Sequence, residues 1–454
     1  MTMTFPRTAL TSSSLIGVAA LALLVVTPGC DLVELDDQPN PNGPALEDII
    51  SNPTEAAISN VAVGVEASSR LGLGTYLVDV GVIGREYWRV SPSDPRFTQD
   101  LLGKSESVLD NNTFYITTPW ATRYGTIRNA NTMLVAVDAN ETLSEGEKAA
   151  ARGFAQTWIA YQYLLNLNLT FQNGVRFIEP GEDVAGPVVG YDQALDRIAA
   201  LFDEAAGNLA SGASAGFFFP TSIGVGVPNT VEGYRQINRG LAARVDAYRE
   251  DWAGVIDALD NSFIDADGDL EAGAYHLFST AAGDITNPFF FPLGGGGDGV
   301  LAHPSFVADI AEGDSRIDKV QERETARTFD GLTSNFDTDV YEGPTSPIPI
   351  VRNAELVLLR AEANAQLGNT EDAVDDINVI RTNASLDDYD EDDDSDSLID
   401  EVLRQRRYEL YAEGHRWIDL RRYNRLDTLP IDRPSDDVFS QFPLPESETT
   451  DPNA

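Results

Sequence analysis

The stretch NAELVLLRAEANAQLGNTEDAVDDINVIRTNA, Asn353–Ala384, limits the fold of this chain more than any other. Leu356, Leu359, Ala363 and Leu367 recur at three- and four-residue steps, the period of a helix with one apolar face. Gly368-Asn369 breaks that helix. Thr370 reads as the N-cap of a second one, with Glu371 and Asp372 suited to its positive N-terminal end. Ala373, Ile377 and Ile380 supply the second apolar stripe, and small residues at Ala361, Ala365 and Ala373 let the two helices approach closely. Neither helix can bury its stripe alone, so such a pair has to stack on others. A mainly α fold follows.

The spacing from Ala361 through Gly368 to Ala373 is similar to a tetratricopeptide (TPR) helix pair. Other stretches repeat the period less regularly. From Trp120 onward, Tyr124, Ile127, Met133, Leu134 and Val137 predict a helix, and Ser144 with Glu147 has the spacing of a capping box. The run to Leu169 that follows reads as a long helix, closed by the turn signal Gln172-Asn173-Gly174. Further helical stretches are expected over Tyr191–Leu209 and Val231–Ala258. The sum is a short, degenerate solenoid of helix pairs, about 120–170, 191–258 and 353–384, with little β. Ser211–Asn229 and Asp260–Pro349, dense in Gly, Pro and aromatics, read as long irregular regions, the span of about 260–350 forming a loop-rich insert on the ligand side. Ser385–Ser397, SLDDYDEDDDSDS, reads as a solvated, mobile loop.

Charge excludes one class of partner. The chain carries 31 Lys+Arg against 73 Asp+Glu, a formal net charge of −42, whereas a nucleic-acid surface needs clustered cations. Only Lys104, Lys148 and Lys319 are lysines. Self-repulsion on this scale weakens the compact state at low ionic strength and is screened by salt, so adaptation to a salty environment is expected. At the N-terminus, Arg7 precedes an apolar run from Leu15 to Val26 and then Cys30, the sole cysteine. That shape predicts an export signal over residues 1–29 with Cys30 as the lipidated residue, although Thr27-Pro28-Gly29 departs from the usual Leu-Ala/Ser-Gly/Ala. Residues 30–45, acidic and then Pro/Asn-rich, read as a flexible tether.

Seven of the arginines fall between Arg404 and Arg425, around RRYELYAEGHRWIDLRRYN. His415 with Glu409 or Glu413 would make an acid–base pair. The competing reading is structural. Val402, Leu403, Leu410 and Tyr411 form an apolar stripe, Gly414 interrupts it, and Trp417, Ile418 and Leu420 restart a short helix. The arginines then fork onto carboxylates, both local ones and Glu355, Glu362, Asp375 and Asp376 of the helix pair. No second histidine, cysteine or serine-nucleophile motif stands nearby. Arg407, Glu409, Glu413, Gly414, His415, Arg416, Trp417 and Asp419 are therefore expected to act as a structural clamp, with no catalytic residue. Asp265, Asp267 and Asp269 alternate as calcium ligands would, but loop positions 6 and 12 hold Leu270 and His276 where an EF-hand needs Gly and Glu. An acidic turn is the expectation there, and no cofactor is expected.

LIDEVLRQRRYELYAEGHRWIDLRRYNRL resembles the C-terminal signature of the SusD/RagB-like outer-membrane lipoproteins, in which Arg-Arg, Glu-Leu, Glu-Gly-His-Arg-Trp and Asp-Leu-Arg-Arg recur. PSDDVFSQFPLPESETTDPN resembles the closing Phe-Pro-Ile-Pro segment, with Leu444 for Ile. Cys30, the Trp120…Asn131 helix, the Ala149–Leu169 helix and AELVLLRAEANAQLGN stand in the family's order. The resemblance implies one SusD-like helical domain over 46–454, with the signature at 398–450. It further implies a non-enzymatic surface lipoprotein, anchored in the outer membrane and facing the cell exterior. Such a protein delivers glycans or peptides to a SusC-like TonB-dependent transporter. A surface TPR scaffold with no small ligand is the alternative. Sugar sites present aromatic rings to pyranose faces, which directs attention to Trp88 and Tyr87, then to Phe290 and Tyr341 in the long irregular regions.

Overall fold

The computed structural model describes residues 46–449, apart from 52 and 183. Cys30 and the segments expected to form the export signal and the tether lie outside the described residues. The fold is mainly α, as expected. Its principal helices are α1 (Glu55–Ser69), α2 (Leu73–Ile83), α3 (Phe114–Ala139), α4 (Glu145–Thr170), α5 (Tyr191–Gly212), α6 (Val231–Tyr248), α7 (Trp252–Asp260), α8 (Asn353–Leu367), α9 (Thr370–Asn383), α10 (Ser395–Glu409) and α11 (Arg416–Arg422). Among the described residues no helix is long and apolar enough to cross a membrane.

The pairs stack in chain order: α3 on α4, α4 on α5, α5 on α6, then α8 on α9 and α10. At the centre lies α4, whose last seven residues are all buried, as expected of a helix surrounded by others. Its capping box forms as the sequence predicts: Ser144 accepts from the Glu147 N–H and the Glu147 carboxylate accepts from the Ser144 N–H. One large core spans α1 to α6 and reaches Trp417 and Phe442. A smaller one, built from Ala361, Ala365, Ala373, Ile377, Leu398 and Val402, ties α8 and α9 to α10.

Several boundaries differ from the sequence reading. The stretch Val231–Ala258 is two helices, because Glu250 takes φ 59° and Asp251 caps α7 by accepting from the Gly254 N–H. α3 begins at Phe114 and runs through Pro119, earlier than the proline suggests. Asn369, not Thr370, occupies the N-cap of α9. Within the acidic segment, Tyr389 is buried and Asp394 caps α10 through the N–H groups of Asp396 and Ser397, so its last residues are helix rather than loop.

The span of about 260–350 differs most, since it holds strands where irregular loops are expected. Strand β1 (Tyr87–Val90) joins β4 (Gly299–Ala302), β5 (Val320–Phe329) and β6 (Leu332–Thr338) in an antiparallel sheet of order β1-β4-β6-β5. A second sheet has the order β2 (Gly224–Val225), β3 (Gly273–His276), β7 (Ile348–Arg352), and β7 leads directly into α8. β5 and β6 form a hairpin with Phe329 opposite Leu332. Its two loop residues, Asp330 and Gly331, have φ of 53° and 84°, the left-handed pair that matches the twist of the strands.

A candidate ligand groove over a buried arginine network

The arginine-rich segment is drawn inward by its neighbours. Trp417 is fully buried and its Nε1 donates to the Phe439 carbonyl at 2.8 Å. Arg416 Nε donates to the Gly84 carbonyl at 3.1 Å. Gly414, at φ 88°, passes so close to Val80, Leu77 and Tyr76 that a Cβ there would lie 3.3 to 3.4 Å from their side chains. Asp419 accepts from Arg406 Nε at 2.7 Å and from Arg422 at 3.0 Å. Arg422 also pairs with Glu362 of α8 at 2.7 Å. Arg407 reaches Asp309 and Ser305 instead. Glu355 is held by Arg244 of α6 at 2.6 Å rather than by an arginine of the segment, and Asp376 by Arg360 of its own helix pair.

His415 meets Arg406 and Glu355 rather than Glu409 or Glu413, the partners that the rejected acid–base reading required. It lies 3.9 Å from Glu355 and 3.5 Å from Arg406, and burial with the nearby cations Arg244 and Arg406 holds its pKa well below the usual value. Held neutral, the imidazole lacks the imidazolium proton that a general acid donates.

Glu409 and Glu413 converge on Arg352, the residue that ends β7 and caps α8. Arg352 donates to Glu409 at 2.8 Å and to Glu413 at 2.8 and 3.0 Å. Lys319 Nζ donates to the Glu409 carbonyl at 2.5 Å. Burial raises the Glu409 pKa, yet Arg352, Lys319 and Arg316 outweigh it and hold the group at about 2. For Glu413 burial prevails over Arg352 and the pKa rises.

This network floors an open groove of about 540 Å³. Tyr275 of β3, Tyr341, Tyr411 and Pro349 supply its apolar surface; Glu271, Lys319, Asp339 and Glu342 supply polar groups along it. The loop from 339 to 347 forms one wall, tied at its base by the Asp339 N–H to the Lys319 carbonyl at 2.8 Å. Tyr341 is half-buried, its ring edge-on to Phe289 at 6.0 Å. Phe290 and Tyr341 line a small cleft beside the groove.

The structure therefore brings Tyr341 and Phe290 together and withdraws the other two aromatics. Tyr87 is fully buried, its hydroxyl donating to the Leu77 carbonyl at 2.7 Å. Trp88 is 3% exposed; it donates to Asp432 at 3.1 Å and packs edge-on against His303. Every residue of β1 is buried, so neither face of the strand reaches a ligand and Trp88 is corrected from contact to core. Glu271, Tyr275, Lys319 and Arg352 escaped the sequence reading. Their one signal was Lys319 being among three lysines. Asp265 and Asp269 accept from the N–H groups of Asp267 and Glu271, an acidic turn; no metal-binding cluster occurs among the described residues.

Residues 322–449 match the family model described as "SusD family". Over 86 residues the chain is 40% identical to a SusD-like protein of Formosa agariphila, a match spanning 17% of this chain and 17% of that relative. Solved structures share the fold over most of its length. A SusD superfamily protein from Bacteroides vulgatus aligns over 87% of this chain and 97% of its own, with 15% identity and a TM-score of 0.63. Surface glycan-binding protein A from Bacteroides uniformis aligns over 82% and 88%, with 17% identity and a TM-score of 0.62. The C-terminal region thus matches the SusD family model, and the fold of the described residues is similar to that of SusD superfamily structures.

Proposed function

We propose that the protein captures an oligosaccharide at the cell surface and passes it to a SusC-like TonB-dependent transporter in the outer membrane. The observation that carries the ligand half is the groove: the half-buried Tyr341 stands beside Glu271, Lys319 and Glu342 in a space of about 540 Å³. Rings that bury the apolar face of a pyranose, next to charged groups that take its hydroxyls, are what sugar recognition requires. A glycan-binding protein and a carbohydrate-binding protein among the solved structures of this fold support the same class. The lipid on Cys30 would hold the protein at the membrane. Peptide capture is the second reading, favoured by the carboxylates Glu271, Asp339 and Glu342, which suit a basic side chain.

Binding to an oligosaccharide array and to a peptide pool separates the two. Capture of oligosaccharides that Tyr341→Ala weakens about fivefold or more supports the proposal, since one stacked ring contributes at least ~1 kcal/mol. Peptide binding lost in the same variant moves the reading to peptides. Transporter association without any ligand would replace both with a scaffold.

A further inference from the structure

A second open cavity, of about 500 Å³, lies between the start of α5, the corner joining α6 to α7, and the end of α11. Five rings reach it: Phe171, Tyr191, Tyr248, Trp252 and Tyr423. Among the described residues, the hydroxyls of Tyr191 and Tyr248 find no hydrogen-bond partner. Three guanidinium groups also line it, and two are neutralised. Arg422 is paired with Glu362 and Asp419, and Arg249 with Asp196 and Asp246.

Arg421 is the exception. It is 6% exposed and, among the described residues, has no carboxylate partner. Its terminal nitrogens donate to the carbonyls of Ser440 and Asn168, and its plane lies between the rings of Phe171 at 4.2 Å and Trp417 at 4.5 Å. Its Nε has no hydrogen-bond partner. Burial lowers its pKa to about 10, so the group stays charged at neutral pH. An uncompensated buried cation is costly, and in a chain of net charge −42 a carboxylate to pair with it is the commonest residue type available. None is placed there. The two unpaired carboxylates at the cavity, Asp192 and Glu250, are exposed. They oppose a polyanion while leaving room for one negative group at depth.

We propose that this cavity is a second ligand site that takes a sugar unit bearing a single carboxylate, the acid group directed to Arg421 and the ring against Trp252 or Tyr423. The sugar class rests on the glycan reading above; the cavity and its unpaired cation do not.

Titration of the full-length chain in detergent with methyl β-D-glucuronide and methyl β-D-glucoside tests this. The glucuronide is expected to bind about tenfold more tightly, because a charge-assisted bond distinguishes the two. Trp252→Ala, at a half-buried position, should weaken glucuronide binding about tenfold, through lost ring stacking. Glu250→Gln, at an exposed unpaired position, should tighten it by about two- to threefold, through removed like-charge repulsion. Equal affinity for the two glycosides overturns the inference, as does indifference to both substitutions. If Tyr341→Ala abolishes glucuronide binding while Trp252→Ala leaves it intact, the ligand sits in the groove and only this inference falls. Should the groove bind no glycan, glucuronide binding sensitive to Trp252 still stands.

Discussion

Glu86 and Glu409 are both buried carboxyls, and their neighbours send them in opposite directions. Burial dominates at Glu86, where Arg416 offsets it only in part, and the pKa rises from 4.5 to about 8. At Glu409 the surrounding cations win and the pKa falls from 4.5 to about 2. Between pH 4.5 and about 8 the folded chain keeps a proton on Glu86 that the unfolded chain has released, so stability declines as pH rises through that window. Glu409 contributes stability above pH 4.5 that is lost as pH falls toward 2. Glu86→Gln should therefore stabilise the fold by on the order of 2–4 kcal/mol at pH 8 and by nothing at pH 4. Denaturant melts at the two pH values measure this. A gain of equal size at both would mean that packing, not ionisation, sets the effect.

Among the elements, the helix pair at 353–384 was legible because its information is local: period, break and acidic first turn lie within one stretch. The β5–β6 hairpin carries a comparable local signal, Asp330-Gly331 between two strand-length runs, but Gly and Pro abundance across 260–350 obscured it. Gly331 is exposed and no atom crowds it closer than 3.5 Å, so only its φ of 84° forbids a side chain. Gly331→Ala should cost about 1 kcal/mol, the strain of a left-handed alanine. Gly343→Ala, at an open site without positive φ, should cost nothing measurable. Equal losses in thermal melts would show that the turn does not set the hairpin.

Across the chain as a unit, charge is partitioned by depth. Ten arginines and ten carboxylates are buried among the described residues, so the excess of −42 resides outside the core. Interior pairs such as Arg244–Glu355 and Arg352–Glu409 are shielded from salt, while the surface excess is not. The melting temperature should rise from low to molar sodium chloride as self-repulsion is screened. A flat or falling profile would show that the surface charges are spaced too widely to repel.

The helical class, the resemblance of the C-terminal segment to the SusD family and the inward role of most of the arginine segment's neighbours were available from residue order, because apolar period and motif spacing are properties of adjacent residues. Ligand contact was not. Trp88 and Tyr341 are both aromatics in polar, turn-rich surroundings, yet one lies in a strand covered on both faces and the other on a loop beside a groove. The partners of the clamp were equally hidden. Glu409 and Glu413 meet Arg352 across more than fifty residues, and Arg421 is left without a carboxylate among the described residues of a chain full of them. Which charges meet, and which cavity they line, depends on how distant elements pack, and no local period encodes that.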